Sequence, residues 1–374
     1  MQRSPYLNKS DQFMSKYPQP IKILFIHKLI FDYRLSFYEE LAKIPRYEIT
    51  VLHSGKPMRR EDSKFQEIIV FQKSFFGFLW QSRSRSLACN HDVVVALFDV
   101  HYLSTLLLAL LPRSFRLIFW GIGFGKSSSA NRLRTYLALR ADALALYMPG
   151  NKNNFIRAGV NENRIFCVRN TIHIEKPFCS TDASQKISFL FIGSLAPRKR
   201  IDELVRAFAR VVERCSSKIT LEIVGDGEML NDLRLLVSEL KLNKRVRFIG
   251  KITNEAALAP FFKRAIAMVS PGQAGLSILH SFACGVPVVT NRHAISGGVI
   301  ENVIDGKNGI LYEGSTDELA AVLLRLAVDV EYALTLGRNA FKYYTQSMTL
   351  KHSVSEFERA IDFVCSFNQC QDRL

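Results

Sequence analysis

Apolar runs of about five to seven residues recur along the chain, most of them followed by a stretch whose apolar residues return every three or four positions. In the first half the runs are IKILFIH (21–27), YEITVLH (47–53), EIIVF (67–71), DVVVALF (92–98), RLIFW (116–120), ALALYMP (143–149) and RIFCVRN (164–170). Helical spacing lies between them, at residues 35–43, in YLSTLLLALL, in NRLRTYLALRADA (131–143) and in KNNFIRAG. Uninterrupted apolar strands alternating with helices predict a parallel sheet covered on both faces. The short, polar, Pro-containing EKPFCSTDASQK (175–186) reads as a linker. The alternation then restarts with ISFLFIG (187–193), ITLEIVG (219–225), VRFIG (246–250), AIAMVSP (265–271) and VPVVT (286–290). Residues 316–374 read as helix throughout. The expected organisation is a doubly wound α/β domain over 1–178, opening on a loose polar lead-in at 1–20, and a second such domain over 187–345. A C-terminal helix within 346–374 is expected to pack back on the first domain.

Charge and composition sharpen this picture. The longest apolar candidate, DVVVALFDVHYLSTLLLALL, carries Asp99 and His101 in its middle, so it reads as strand then helix rather than a membrane span. The lead-in has no apolar core and no small-residue cleavage site, so no signal peptide is expected. Seven cysteines lie scattered without a CxxC pair or a Cys/His cluster, which predicts reduced thiols, no metal site and a cytoplasmic protein. The net charge of +16 is uneven: residues 1–180 hold 26 Lys plus Arg against 13 Asp plus Glu, whereas 181–374 hold 24 against 21. No helix-turn-helix, zinc module or RNP-type aromatic motif supports a nucleic-acid partner. Contact with an anionic membrane surface, peripheral on the inner face of the plasma membrane, has one local supporter. In SFFGFLWQSRSRS (74–86), Phe75, Phe76, Phe78 and Trp80 precede Arg83 and Arg85. The same aromatics also suit a core beside a solvated loop.

In open parallel sheets ligands sit at the carboxyl ends of strands, so those ends carry the candidate chemistry. One strand ends at Gly193 and is followed by Ser194, then by Arg198, Lys199 and Arg200 just before a helix with Asp202 as its expected N-cap. A cationic loop beside a helix start suits a diphosphate. IVGDGEM brackets Asp226 with Gly225 and Gly227, where a base or ribose can approach the backbone. Gly250-Lys251-Ile252 offers main-chain groups to a base edge. SPGQAGLSILHSFACGVPVV (270–289) turns at Pro271-Gly272 and is expected to enter a helix near Gly275. The amides of Gly275, Leu276 and Ser277 would then lie free in its first turn to hold phosphate oxygens. His280 falls three residues after Ser277, on the same helix face, within reach of a ribose or phosphate.

FIGSLAPRKRIDELVRAF, IVGDGEML, VRFIGKI, SPGQAGLSILHSFACGVPVVT and ENVIDGKNGILY follow the order and spacing of the GT-B retaining glycosyltransferases of family GT4 (glycosyltransferase group 1), which this chain resembles. FIHKLIFDYRLSFYEELAK resembles the YR-containing first loop and helix of many bacterial members, and RLIFWGIGFGK and CVRNTI resemble family strand ends. The resemblance runs from about residue 21 to the end of the second domain and beyond. It implies α/β, GT-B architecture: two doubly wound Rossmann-like domains facing a cleft, with a helical C-terminal tail. It further implies a retaining hexosyltransferase that moves a sugar from a UDP-sugar or GDP-sugar donor to a glycan or lipid-linked acceptor in surface polysaccharide or lipopolysaccharide synthesis. No cofactor and no metal would be needed. Carried over by position, the donor site comprises Gly193, Ser194, Arg198, Lys199, Gly225, Ile252, Gly272, Gly275, Leu276, Ser277, His280 and Glu301. The acceptor side comprises Tyr33, Arg34, Gly121, Ile122 and Gly123.

The chain departs from the family at several of these positions. Gly272 and His280 stand where members commonly carry two glutamates eight positions apart. Ser194 replaces an arginine and Ile122 a histidine. Asp99 and His101, at the end of DVVVALF, are therefore candidates to orient the acceptor hydroxyl or the donor sugar in the missing histidine's place. A helix cap for Asp99 and a packing role for His101 remain the simpler alternative. The departures also leave open a non-catalytic nucleotide-sugar-binding protein. A sugar-nucleotide epimerase shares the architecture, although no carboxylate pair suited to proton abstraction stands out.

Overall fold

A computed structural model describes residues 19–125, 127–215 and 218–366, and it divides the chain into two compact units. Nearly all of the expected lead-in therefore lies outside the described residues. The first unit takes Met1–Asn170 together with Leu350–Leu374, and the second takes Thr171–Thr349. Among the described residues no helix is long and apolar enough to cross a membrane.

In the first unit the order is β1 (Ile21–Ile26), α1 (Asp32–Ala42), β2 (Tyr47–His53), β3 (Gln66–Ile69), β4 (Gln72–Phe75), β5 (Phe78–Gln81), α2 (Ser84–Ala88), β6 (Val93–Leu97), α3 (Leu103–Leu110), β7 (Arg116–Gly121), α4 (Ser128–Arg140), β8 (Ala143–Leu146), α5 (Pro149–Arg157) and β9 (Ile165–Phe166). Seven strands form one sheet in the order β3-β2-β1-β6-β7-β8-β9, every neighbouring pair parallel. Side chains alternate across the sheet, so β1 sends Ile23 and Phe25 into one core and Leu24 and Ile26 into the other. Both faces are covered, which is why these strands are apolar without interruption. Two expectations change in detail. RIFCVRN shrinks to a two-residue strand, and SFFGFLWQ is neither core nor plain loop. It forms an antiparallel hairpin, β4–β5, separate from the main sheet.

The second unit runs β10 (Ser188–Ile192), α6 (Ile201–Arg214), β11 (Thr220–Val224), α7 (Leu230–Glu239), β12 (Val246–Gly250), α8 (Glu255–Arg264), β13 (Ala265–Ser270), α9 (Ser277–Ala283), β14 (Val288–Asn291), β15 (Gly309–Tyr312), α10 (Thr316–Val328) and α11 (Val330–Ser347). Its six parallel strands follow the order β12-β11-β10-β13-β14-β15. The strand order reverses beside β10, between β11 and β13, the kind of switch point where doubly wound sheets hold ligands. Residues 175–186, expected as a free linker, are instead bonded into this unit. Phe178 N donates to Ala283 O at 2.9 Å, Glu175 N donates to Glu255 Oε1 at 3.2 Å, and Ile174 is buried in the core. The division thus falls at Asn170/Thr171 rather than across 178–187, and at Thr349/Leu350 rather than after 345.

The last helix, α12 (Leu350–Ser366), belongs to the first unit. Leu350, Val354, Phe357, Ile361 and Val364 form its buried stripe, spaced for one helix face. Phe357 lies edge-on to Trp120 of β7 at 4.8 Å between ring centroids. Arg46 adds a fork to α12, reaching Asp362 at 2.8 Å and Glu358 at 3.1 Å.

Candidate functional site

In the second unit two strand-end loops are fastened together. The loop after β10 is set by main-chain bonds to the β11 end: Gly193 N donates to Val224 O at 3.0 Å and Leu195 N donates to Asp226 O at 2.9 Å. A Cβ on Gly225 would fall 1.8 Å from Gly193 O, so only glycine allows this approach. Pro197–Lys199 then forms a single 3-10 turn, and α6 begins at the buried Ile201. This places Arg200, at φ 52°, at the N-cap position in place of the expected Asp202. Asp202 lies within the first turn instead.

The loop after β13 zips onto that turn. Gly272 N donates to Lys199 O at 3.1 Å and Gln273 N donates to Arg198 O at 2.8 Å. The side chains reinforce the pairing: Arg198 Nε donates to Gln273 Oε1 at 2.6 Å, and Lys199 Nζ donates to Gln273 O at 2.7 Å. A Cβ on Gly272 would lie 2.3 Å from Arg198 O and 2.6 Å from the Lys199 carbonyl carbon. Gly272 is thus a packing position for the zip, and no side chain fits there without moving the 198–199 backbone. Lys199 Nζ lies 3.8 Å from where a Cβ on Gly275 would stand, so the ammonium sits over the approach to α9.

That helix opens at Ser277, slightly later than expected, after tight bonds from Ile278 N to Gly275 O and from Leu279 N to Leu276 O. The amides of Gly275, Leu276 and Ser277 precede these intrahelical donors. Burial pulls the half-buried Lys199 ammonium below its ordinary pKa, and Arg198 acts in the same direction. Two cations crowd one helix start, which favours an anion between them.

His280 stacks on Phe262 of α8, with 4.9 Å between centroids and 26° between planes. Burial pushes its pKa down to about 4, so it is a neutral imidazole at pH 7, one ring nitrogen donating and the other accepting. Gly225 N donates to Gly250 O at 2.9 Å, which brings the loop carrying Ile252 beside the glycine pair. Glu301 is exposed on the short turn Val299–Asn302. The Ala274–Ser296 bridge joins the loop preceding that turn to the 271–275 segment. The structure thus gathers Gly193, Ser194, Arg198, Lys199, Gly272, Gly275, Leu276 and Ser277 around one zip. Gln273, passed over in the sequence because it is uncharged, is its central tie.

In the first unit Asp99 and His101 form a pair after β6. Asp99 Oδ1 meets both His101 N, at 3.0 Å, and His101 Nδ1, at 2.9 Å, and both side chains are exposed. With Nδ1 engaged, Nε2 is the outward nitrogen. In WGIGFG, Ile122 is exposed and its carbonyl accepts from Asn151 Nδ2 at 2.7 Å, while Gly123 sits at φ 88° against Phe155. Tyr33 and Arg34 enter a different neighbourhood. The Arg34 guanidinium lies 4.2 Å from the Trp120 ring centroid and donates to the phenol oxygens of Tyr33 and Tyr147. His27, Trp120 and Tyr147, which the sequence did not single out, follow or end β1, β7 and β8. Their distance from Arg34 along the chain hides the grouping.

Among the described residues no group of three or more His, Cys, Asp or Glu side chains is placed to hold a metal ion. Residues 175–343, nearly the whole second unit, match the family described as glycosyl transferases group 1. The chain carries a group 1 glycosyltransferase domain. Among relatives, the N-acetyl-alpha-D-glucosaminyl L-malate synthase of Bacillus anthracis is 29% identical over 198 residues, covering 53% of this chain and 50% of that protein. The GDP-mannose-dependent alpha-(1-6)-phosphatidylinositol monomannoside mannosyltransferase of Mycolicibacterium smegmatis is 33% identical over 156 residues, covering 39% of this chain and 40% of that protein. These matches span about half the length of the curated relatives or less. The structure of Anabaena Alr3699/HepE in complex with UDP superposes with a TM-score of 0.71 at 18% identity, over 91% of this chain and 100% of that one. The fold is accordingly GT-B. The zip lies within the matching segment and draws together eight of the twelve residues expected at a donor site, without Gly225, Ile252, His280 and Glu301.

Proposed function

We propose that the protein is a glycosyltransferase that moves a sugar from a UDP- or GDP-linked donor to a glycan or lipid-linked acceptor, with retention of configuration, in surface polysaccharide assembly. The observation that carries this reading is the zip, which sets Lys199 and Arg198 over the start of α9 within the segment matching the family. As the donor bond breaks, negative charge collects on the departing diphosphate. The two cations and the amides of residues 275–277 stabilise it without a resident metal. The similar Anabaena protein was solved in complex with UDP, and the similar mycobacterial mannosyltransferase is GDP-mannose-dependent, which supports such a donor. The first unit is proposed to bind the acceptor, with His101 Nε2, backed by Asp99, orienting its hydroxyl. Its basic surface is proposed to meet an anionic membrane from the cytoplasmic side.

A second reading, a nucleotide-sugar binder without turnover, is favoured by one observation: neither position 272 nor position 280 presents a carboxylate.

Melting the protein with UDP, GDP, ADP and their sugar conjugates tests the donor site. One base should raise the melting temperature, and Lys199→Ala should abolish that rise. If no nucleotide stabilises the protein, the donor reading is wrong. Stabilisation without nucleotide release across an acceptor panel selects the second reading. Asp99→Ala and His101→Ala should each lower transfer by roughly a hundredfold while leaving donor stabilisation intact. Undiminished turnover in both would remove the pair from the mechanism.

A further inference from the structure

Arg34 is 9% exposed, and among the described residues no carboxylate acts on its charge. The groups acting on its charge are the phenols of Tyr147, Tyr38 and Tyr33. Its Nε and Nη2 donate to Tyr33 and Tyr147, and its plane lies over Trp120, but Nη1 has no hydrogen bond of ordinary geometry. Two more buried polar atoms in the same cluster, His27 Nε2 and Trp120 Nε1, lack partners, while the Tyr38 phenol faces Arg34 in a weak hydrogen bond. The rings are close, with 5.2 Å between the centroids of His27 and Trp120 and 6.1 Å between those of His27 and Tyr38.

The cluster has a chemical asymmetry. Guanidinium and indole N–H groups only donate, and a phenol or a neutral imidazole can donate as well. Burial, with Arg34 and His53 adding to it, holds His27 uncharged, and burial raises the Tyr38 and Tyr147 phenols so that they stay protonated. What the cluster lacks is therefore an acceptor and a negative charge. Water would supply the first only in part and the second not at all. The site lies at the carboxyl ends of β1, β7 and β8, the ligand edge of an open parallel sheet, and Tyr33 and Tyr147 at its margin are partly exposed.

We infer that this cluster is an oxyanion site, with Arg34 as the counter-charge for a phosphate or carboxylate group of the acceptor. That the ligand is the acceptor rests on the proposed transfer reaction; that it is an oxyanion rests on the cluster alone. A purely structural arginine, clamping Tyr33 to Tyr147, would behave differently when replaced. Removing an uncompensated buried cation in favour of an apolar side chain of similar length leaves the empty protein as stable or more so, whereas removing a structural clamp weakens it.

The two tryptophans, Trp80 and Trp120, both lie in the first unit, so Trp80→Phe leaves Trp120 as the sole indole reporter and keeps the donor site silent. In full-length protein carrying Trp80→Phe, Trp120 emission is titrated with inorganic phosphate, pyrophosphate and malonate, with sodium chloride as the ionic-strength control. The expected result is a saturable change with an oxyanion and none with chloride. The phosphate and malonate arms tell which oxyanion the site prefers. Adding Arg34→Met should weaken that response at least about tenfold, leave the melting temperature unreduced, and leave stabilisation by the nucleoside diphosphate unchanged. The inference is overturned if no oxyanion changes Trp120 emission up to tens of millimolar, or if Arg34→Met keeps the response. It is also overturned if Arg34→Met melts well below its parent. Loss of nucleotide stabilisation in the parent protein would instead count against the proposed donor site and leave this result standing.

Discussion

At the scale of single residues, His280 and Gly272 show why replaced motif positions need a structure to interpret them. His280 is a half-buried neutral ring stacked on Phe262, and this sets a sign for acid stability. Above the unfolded value of 6.5 the group is neutral in both states. As pH falls, the unfolded chain takes up a proton that the native ring refuses until about 4, so stability is lost between these values. His280→Gln should therefore lose less stability than the parent between pH 7 and pH 4, by at most about 3 kcal/mol, as read by urea unfolding across that range. Equal losses in the two proteins would show that the ring titrates freely. Gly272 was legible as a departure from the paired-glutamate pattern, but its reason was not. Its Cα lies against the Arg198–Lys199 backbone, a contact between loops some seventy residues apart that no local pattern reports. Gln273 escaped notice for a similar reason, because its value lies in the two cations it holds rather than in any charge of its own.

At the scale of elements, the hairpin β4–β5 is the feature the sequence half disclosed. Its aromatics and flanking cations were visible, but FFGFLW has no strict alternation, so the hairpin itself was not. The turn explains the pattern: Phe76 at φ 47° and Gly77 at φ 78° are both left-handed, as a two-residue hairpin loop requires. A phenylalanine in that region costs about 1–2 kcal/mol, and Phe76 is 99% exposed, so nothing within its own unit offsets the strain. Residues 68–91 carry Lys73, Arg83 and Arg85 and no acidic side chain. The proposed membrane contact, with Phe76 inserted into an anionic bilayer and these cations at the headgroups, would account for both facts. Binding to anionic liposomes should fall as salt rises, and Phe76→Ser should weaken it roughly tenfold or more. Failure to bind at low salt would reject this role for the hairpin.

At the scale of the whole molecule, both sheets were legible because strands buried on two faces must be apolar throughout, and IKILFIH or AIAMVS leaves little choice. The boundary was less so. Polarity marked residues 175–186 as a linker, yet the segment docks through main-chain bonds that side-chain character does not reveal. The Arg34 cluster drew on β1, α1, β7 and β8 together, and only their assembly into one sheet edge made its missing negative charge apparent.

The return of α12 to the first unit has a consequence for how the protein comes into being. Residues 171–349 form one uninterrupted stretch, so the second unit has every residue it needs by the time the ribosome reaches Leu350. The first unit, although translated earlier, must wait with Phe25, Phe37 and Trp120 uncovered until Phe357 arrives. The order of completion is therefore the reverse of the order of synthesis, and the nascent chain spends the translation of some 180 residues with an aromatic face open to other partners.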